Sequence, residues 1–505
     1  MSDRGVVAGG HPATADAGAW ALRQGGNAVD AAVAAVLASF AAESPLTGLG
    51  AGGYMLVHDS GRSDVIDFFV EAPGRGGTRR GSDLVPAPVD FTDSVTQIFN
   101  VGAASCGVPG SPAGLELALE RFGSMALADL VGPAVSAARD GVPISATQAY
   151  LFKILAPILT REPEGAEIYA PGGKLLAEGD TFRFGELGDA LELLAAEGSA
   201  PFYEGDVSRR MSEWVLERGG TLAAEDLAAY QPIVREPVRA SFRMREVVTN
   251  PPPSSGGTLI AFALELLERL GACGVEETVA VMAAAQEARA DGFTTELSRE
   301  GFAAEFLRVE RLDRAATRAS SRLGSTTHVT AVDSEGRCAS VTCSNGTGSG
   351  VIVPGTGVHV NNMLGEEDLN PLGFHRWEAG SRLPSMMSPT VILRDGELVA
   401  GLGSAGSNRI RSAVVQTILR IVADGKEAAD AIVAPRVHFE AGALHAEPGV
   451  DEHALRRIEA NDIPVERWAE PNMFFGGVQA VVRDPATGAL TAGGDPRRGG
   501  AVAFA

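Results

Sequence analysis

The chain has 505 residues, 45% of them hydrophobic and 21% charged, the balance of an ordinary soluble globular protein that exceeds the size of one compact domain. A formal net charge of −22 argues against nucleic acid and anionic membrane as partners. Four cysteines (Cys106, Cys273, Cys338, Cys343) are too few for a disulfide framework, and no CxxC or Cys/His spacing calls for a metal or a cofactor. The N-terminus shows no basic-then-apolar leader, and the longest apolar stretch, residues 31–42, is too short and Ala-rich to span a bilayer, so a cytoplasmic location is the expectation.

Along residues 13–42 small apolar residues recur at three- and four-residue spacing, predicting two helices broken at Gly25-Gly26. The glycines of Leu46-Thr47-Gly48-Leu49-Gly50-Ala51-Gly52-Gly53 lead into a strand at Tyr54 and lack the lysine of a nucleotide loop. They read as tight packing or close approach to a ligand. Helix dominates residues 110–245, a rigid turn follows at Pro251-Pro252-Pro253-Ser254-Ser255-Gly256-Gly257, and helix resumes from Leu259 to about Ala316. After Thr326 the character changes to short β-branched strands, at residues 328–333, 339–344, 358–361, 390–393 and 477–482. The first two are joined by the hairpin Ser334-Glu335-Gly336-Arg337. Counting across it sets Ser344 and Asn345 opposite Thr327 and Thr326, to within one residue.

The chemistry sits at that change of character, in Thr326-Thr327-His328. Taken alone, a Thr-Thr pair opens a strand because β-branched residues favour one. If the Ser325–Thr326 bond is cut, however, Thr326 carries both a hydroxyl and a free amine, and an amine in the same residue is the base a weak threonine nucleophile needs. An α-amine titrates near ~7.7–8, so a useful fraction is neutral at physiological pH. His328, His359, His375 and His438 are scattered and read as structural histidines.

Several colinear blocks agree with one family: Gly26-Asn27-Ala28-Val29-Asp30-Ala31-Ala32, Ala138-Arg139-Asp140-Gly141, Glu225-Asp226-Leu227-Ala228-Ala229-Tyr230, the Pro-rich turn, Thr326-Thr327-His328, Met387-Ser388-Pro389-Thr390 and Asp495-Pro496-Arg497. With these the chain resembles the gamma-glutamyltransferase family of N-terminal nucleophile hydrolases over nearly its whole length. The resemblance implies an α+β fold, a four-layer αββα sandwich. It also implies self-cleavage into a helix-rich fragment 1–325 and a strand-rich fragment 326–505 that stay interlocked as a heterodimer, with a dimer of heterodimers as a further possibility. Thr326 would be the nucleophile of autocleavage and then of catalysis. Ser344 would orient it, in the place of a family threonine. Gly406 and Ser407, within Gly403-Ser404-Ala405-Gly406-Ser407-Asn408-Arg409, would supply oxyanion-hole N–H groups.

The substrate positions depart from the family pattern. Phe69, within Ile66-Asp67-Phe68-Phe69-Val70-Glu71-Ala72-Pro73, stands where the resemblance places an arginine for the glutamyl carboxylate. Ser385 and Met386 replace a serine pair, and Met363 stands where a polar residue is common. Asp368, in Asn361-Asn362-Met363-Leu364-Gly365-Glu366-Glu367-Asp368, is the expected amine-binding carboxylate, with Asn345 beside the nucleophile. Glu366, Glu367 and Asp368 also admit a hard-cation site, and Arg322, Arg376, Arg382 and Arg409 are candidates for a relocated carboxylate contact. The expected activity is hydrolysis of a small-molecule amide or acyl bond through a threonyl acyl-enzyme resolved by water. Alternatives are glutathione hydrolysis or γ-glutamyl transfer, a carbon–carbon bond hydrolase of antibiotic biosynthesis, or an unprocessed, inactive binding protein.

Overall fold

The computed structural model describes residues 4–78, 80–92, 95–289, 292–307 and 326–505. Its two large sheets draw on β1 (Gly5–Gly9), β2 (Gly52–Asp59), β3 (Arg62–Phe68), β4 (Ile233–Arg235), β5 (Val238–Phe242), β6 (Arg245–Thr249), β7 (Thr327–Asp333), β8 (Cys338–Ser344), β9 (Thr390–Arg394), β10 (Glu397–Ala405), β11 (Gly477–Arg483), β12 (Leu490–Gly494) and β13 (Ala501–Phe504). One sheet runs β13-β1-β7-β8-β2-β3-β4 and the other β12-β11-β10-β9-β6-β5, antiparallel throughout. The sheets pack face to face. Helices α1 (Pro12–Arg23) and α2 (Ala28–Ala42) cover the first, and α3 (Ser255–Leu270) and α4 (Arg409–Val422) cover the second, which makes the αββα sandwich.

Period-two alternation explains why the strands are buried on both faces. In β2, Tyr54 and Leu56 enter the core between the sheets, while Met55 and Val57 enter the core under α1 and α2. All of α2 is buried, and its alanines let the helix lie close to the sheet. Each of Val29, Val33, Val36, Leu37 and Phe40 contributes roughly 1.5–3 kcal/mol by leaving water. Asn27 starts this helix: its side chain accepts from the Val29 and Asp30 N–H groups, and Asp30 accepts the Asn27 N–H at 2.7 Å. The break from α1 falls at the expected glycines, Gly25 having φ +98°.

Strands from either side of residue 325 interleave in the seven-stranded sheet and meet at one pair in the six-stranded sheet. β1 lies between β7 and β13, β2 pairs with β8, and β6 pairs with β9. The chain ends meet there, Arg4 N–H donating to Ala505 O and Ala505 N–H to Gly5 O, each at 3.0 Å. The strands expected after Thr326 are present, the third shortened to Val358–His359, and the hairpin register falls within the expected one residue: Thr327 faces Cys343, which leaves Ser344 alongside Thr326. Two expectations of uniform character do not hold. Strands β4 to β6 lie within or just beyond the span read as helical, and α4 lies inside the segment read as strands. Among the described residues no helix is long and apolar enough to cross a membrane.

Candidate active site

Thr326 stands one residue before β7, at the end of the seven-stranded sheet where β8 also finishes, and is only 5% exposed. Its Oγ1 faces the Ser344 Oγ at 3.5 Å, the outer limit of hydrogen bonding. The Ser344 Oγ is itself held by the Gly346 N–H at 2.8 Å. Gly346 has φ +66°, and a Cβ there would fall 2.1 Å from Asn362 Oδ1 and 2.8 Å from Glu366 Oε1, so only glycine fits. Gly50 and Gly53 earlier in the chain meet the tight-packing alternative: a Cβ would lie 2.2 Å from the backbone His359 O and Thr342 O respectively.

The next two residues of β7 alternate, as a strand requires. The Thr327 hydroxyl donates to Glu43 just past α2, whose other oxygen accepts the Thr14 hydroxyl at 2.7 Å. Burial raises the Glu43 pKa, opposed by those two hydroxyls, the Arg498 charge and the Gly10 N–H. His328 points between the sheets, its Nδ1 at 2.8 Å from Thr342 Oγ1 and its Nε2 at 3.0 Å from Thr330 Oγ1. Burial holds its pKa down at about 3, so this histidine is neutral and locked.

Thr326, Ser344 and Gly346 line a small cavity of about 30 Å³. Phe69, Met363, Leu369, Met386 and Ile410 give it apolar walls, and Glu366, Ser385 and Ser407 add polar groups. The Pro-rich turn holds one wall: Ser254 Oγ donates to Met387 O at 2.9 Å, and Ser255 N–H and Oγ both donate to Ser385 O, at 2.8 and 2.9 Å. Ser407 sits where β10 turns into α4. Gly406 has φ +120° and Ser407 φ +50°, an uncommon left-handed serine, and the Ile410 N–H donates to Ser407 O at 3.0 Å.

The expected substrate residues divide. Phe69 lines the cavity with its ring stacked on Tyr54 at 5.5 Å, and Ser385 and Met386 line it too. Asn345 is turned away, its Nδ2 donating to His359 O at 3.3 Å. Asp368 accepts from Asn408 Nδ2 at 2.7 Å, and the carboxylate in the cavity wall is Glu366, two residues earlier. Arg382 braces the wall from behind, with Nη1 donating to Phe69 O and to the Tyr230 hydroxyl at 2.5 Å each and Nη2 to Gln231 O at 2.7 Å. Arg409 is buried against Glu440 at 3.4 Å and over the Phe474 ring, and Arg376 is exposed. Ser325 and Arg322 lie outside the described residues. Among the described residues no group of His, Cys, Asp and Glu could hold a metal ion. Sequence reasoning missed Glu43, and the acidic run at 366–368 was the signal for Glu366.

The family model for gamma-glutamyltranspeptidase matches residues 14–505. The chain belongs to that family. Among gamma-glutamyltranspeptidase relatives it is 32% identical over 512 residues to the acylase ACY 1 proenzyme of Pseudomonas sp. (strain SE83), a match covering 97% of this chain and 91% of the relative. It is 28% identical over 542 residues to the glutathione hydrolase proenzyme of Bacillus subtilis (strain 168), covering 99% and 91%. Its fold is that of a cephalosporin acylase from Bacillus halodurans, with a TM-score of 0.86 at 24% identity over 99% of this chain and 96% of that one. As a gamma-glutamyltranspeptidase-family protein with this sandwich, the chain is an N-terminal nucleophile hydrolase, an enzyme acting on amide or related acyl bonds.

Proposed function

We propose that the chain cuts itself between Ser325 and Thr326 and then hydrolyses a small-molecule amide, with Thr326 as nucleophile in both reactions. The observation that carries this is the Thr326 hydroxyl beside the Ser344 hydroxyl, facing a cavity to which Ser407 also contributes. In the cut chain the neutral Thr326 amine takes the proton from its own Oγ1, which attacks the substrate carbonyl. The N–H groups of Gly406 and Ser407 receive the developing oxyanion, each donor being worth about 10²- to 10³-fold in rate. The protonated amine gives its proton to the leaving nitrogen. A water molecule then yields a proton to the amine and attacks the acyl ester, and the acid departs with Thr326 restored. Ser344 orients the hydroxyl throughout.

The interleaving of strands from either side of residue 325 in the seven-stranded sheet, with the β6–β9 pair in the other, supports fragments 1–325 and 326–505 that stay together as one heterodimeric unit after cleavage. Phe69 in the cavity wall supports an acylase reading over glutathione hydrolysis, because no Lys or Arg is among the described lining residues to meet a glutamyl carboxylate. Denaturing intact mass tests the proposal. Two fragments splitting before Thr326 in the wild type and one species in Thr326→Ala are expected. One full-length mass in both would remove the amine from the mechanism and the mechanism with it.

A further inference from the structure

Glu366 is 8% exposed, in the wall of the cavity that contains Thr326. Its Oε1 is buried and has no hydrogen-bond partner among the described residues. The space beside that oxygen exists because residue 346 is glycine, a Cβ at that position falling 2.8 Å from it. Phe69, Met363, Leu369 and Ile410 make the surroundings apolar, and no described lining residue is Lys or Arg. The charged neighbour that acts on Glu366 is Asp368, of like sign, with Glu367 between them; the other ionisable group at the cavity is the amine that cleavage would create on Thr326. Burial first, and Asp368 second, push the Glu366 carboxyl up to about 8.

A carboxyl that keeps its proton is a hydrogen-bond donor. An ammonium group bound here would have to leave water for apolar walls and a single carboxylate, because Asp368 is turned to Asn408 at 2.7 Å. A substrate carboxylate would meet no Lys or Arg among the described lining residues. A neutral carbonyl oxygen exchanges one hydrogen bond with water for one with Glu366 and leaves no charge buried. We infer that Glu366 is the acyl-reading residue, an uncharged acid donating to a neutral ketone or amide oxygen on an otherwise apolar acyl chain. This rests on the reading of Thr326 as the nucleophile.

The test is kcat/KM for wild type, Glu366→Gln and Glu366→Leu on the p-nitroanilides of hexanoic, 5-oxohexanoic, 6-aminohexanoic and glutaric acids. In the wild type 5-oxohexanoyl is expected to exceed hexanoyl by about tenfold, the upper range for one neutral hydrogen bond, with the ammonium and carboxylate chains below hexanoyl. The Gln variant, which still has an N–H to donate, is expected to keep that ratio, and the Leu variant to bring it near one. A preference for 6-aminohexanoyl that disappears in the Gln variant would overturn the inference, as would one selectivity shared by all three enzymes. If the wild type cleaves no anilide, the nucleophile reading fails by itself, and infrared difference spectra at neutral pH decide the Glu366 reading. A protonated-carboxyl band absent from Glu366→Gln and shifted by 5-oxohexanamide supports it, and lack of that band refutes it.

Discussion

Replacing Phe69 by arginine tests whether its wall of the cavity shared with Thr326 sets the acyl specificity. The ring is 1% exposed and stacked on Tyr54 at 5.5 Å, so its removal sacrifices roughly 1.5–3 kcal/mol of burial and about 0.5–1.5 kcal/mol of ring pairing. The new guanidinium finds little compensation inside. Asp67, next but one in sequence, already pairs with Arg235 at 2.7 Å, and Glu71 with Arg382 at 3.3 Å. The variant is therefore expected to lose several kcal/mol of stability, seen as a lower melting temperature, while gaining a partner for a substrate carboxylate. A hydrogen bond to a charged group contributes about 1.5–3 kcal/mol, or roughly ten- to a hundredfold. The assay is the ratio of kcat/KM for γ-glutamyl-p-nitroanilide to that for hexanoyl-p-nitroanilide, which cancels any loss of folded enzyme. A ratio unchanged from wild type in a variant that still folds and turns over the hexanoyl substrate would refute the assignment of this wall to the acyl group.

Four further outcomes are expected. Ser344→Ala should leave the Gly346 N–H without its 2.8 Å acceptor and lower kcat about tenfold or more with little change in KM, read by steady-state kinetics. Asp368→Ala should remove the 2.7 Å acceptor of Asn408, leaving its contacts with Arg289 and Glu440, and loosen the turn that carries Ser407, lowering kcat for every anilide alike, whereas a change confined to one substrate would give Asp368 a recognition role. Activity should rise with pH through the range near ~7.7–8 in which an α-amine loses its proton, and a rate flat across that range would argue against the amine as base. His328 has a folded pKa depressed to about 3, so its contribution to stability is complete above the unfolded value of 6.5 and is lost as pH falls from there towards 3. The melting temperature of His328→Gln should accordingly fall less than that of wild type over this interval.

Much of the fold is legible because the patterns are local. The breaks between α1 and α2 and in the β7–β8 hairpin each fall at glycines with positive φ, Gly25 and Gly336. Strands β1 and β13 are not legible, since five and four residues of Gly, Ala, Val and Phe show no alternation until a neighbour fixes their register. Helix α4 hides behind its Val and Ile content, which propensity assigns to strands although Ile410, Ala413, Val414 and Ile418 share one buried face. At the site, a phenylalanine at position 69, where the resemblance places an arginine, is visible in sequence. That Arg382 is committed to bracing the Phe69 backbone is not, because its partners Tyr230 and Gln231 lie far along the chain. Nor can three consecutive acids reveal which turns inward; the short helical turns Met363–Gly365 and Glu367–Leu369 bring Glu366 to the cavity and leave Asp368 with Asn408.

Because Arg4 and Ala505 meet across the β1–β13 edge, a short linker can join these two positions and a new start can be placed at Thr326, where the proposed mechanism needs a free amine. A gene that opens at Thr326, runs to Ala505, crosses a short linker to Arg4 and stops near residue 307 keeps every strand in its order in the sheets. Once its initiator methionine is removed, such a protein is born with the threonine amine free. On the proposed mechanism it separates the architecture needed for turnover from the architecture needed for self-cleavage, two demands that the natural order of the chain would impose on one folding event.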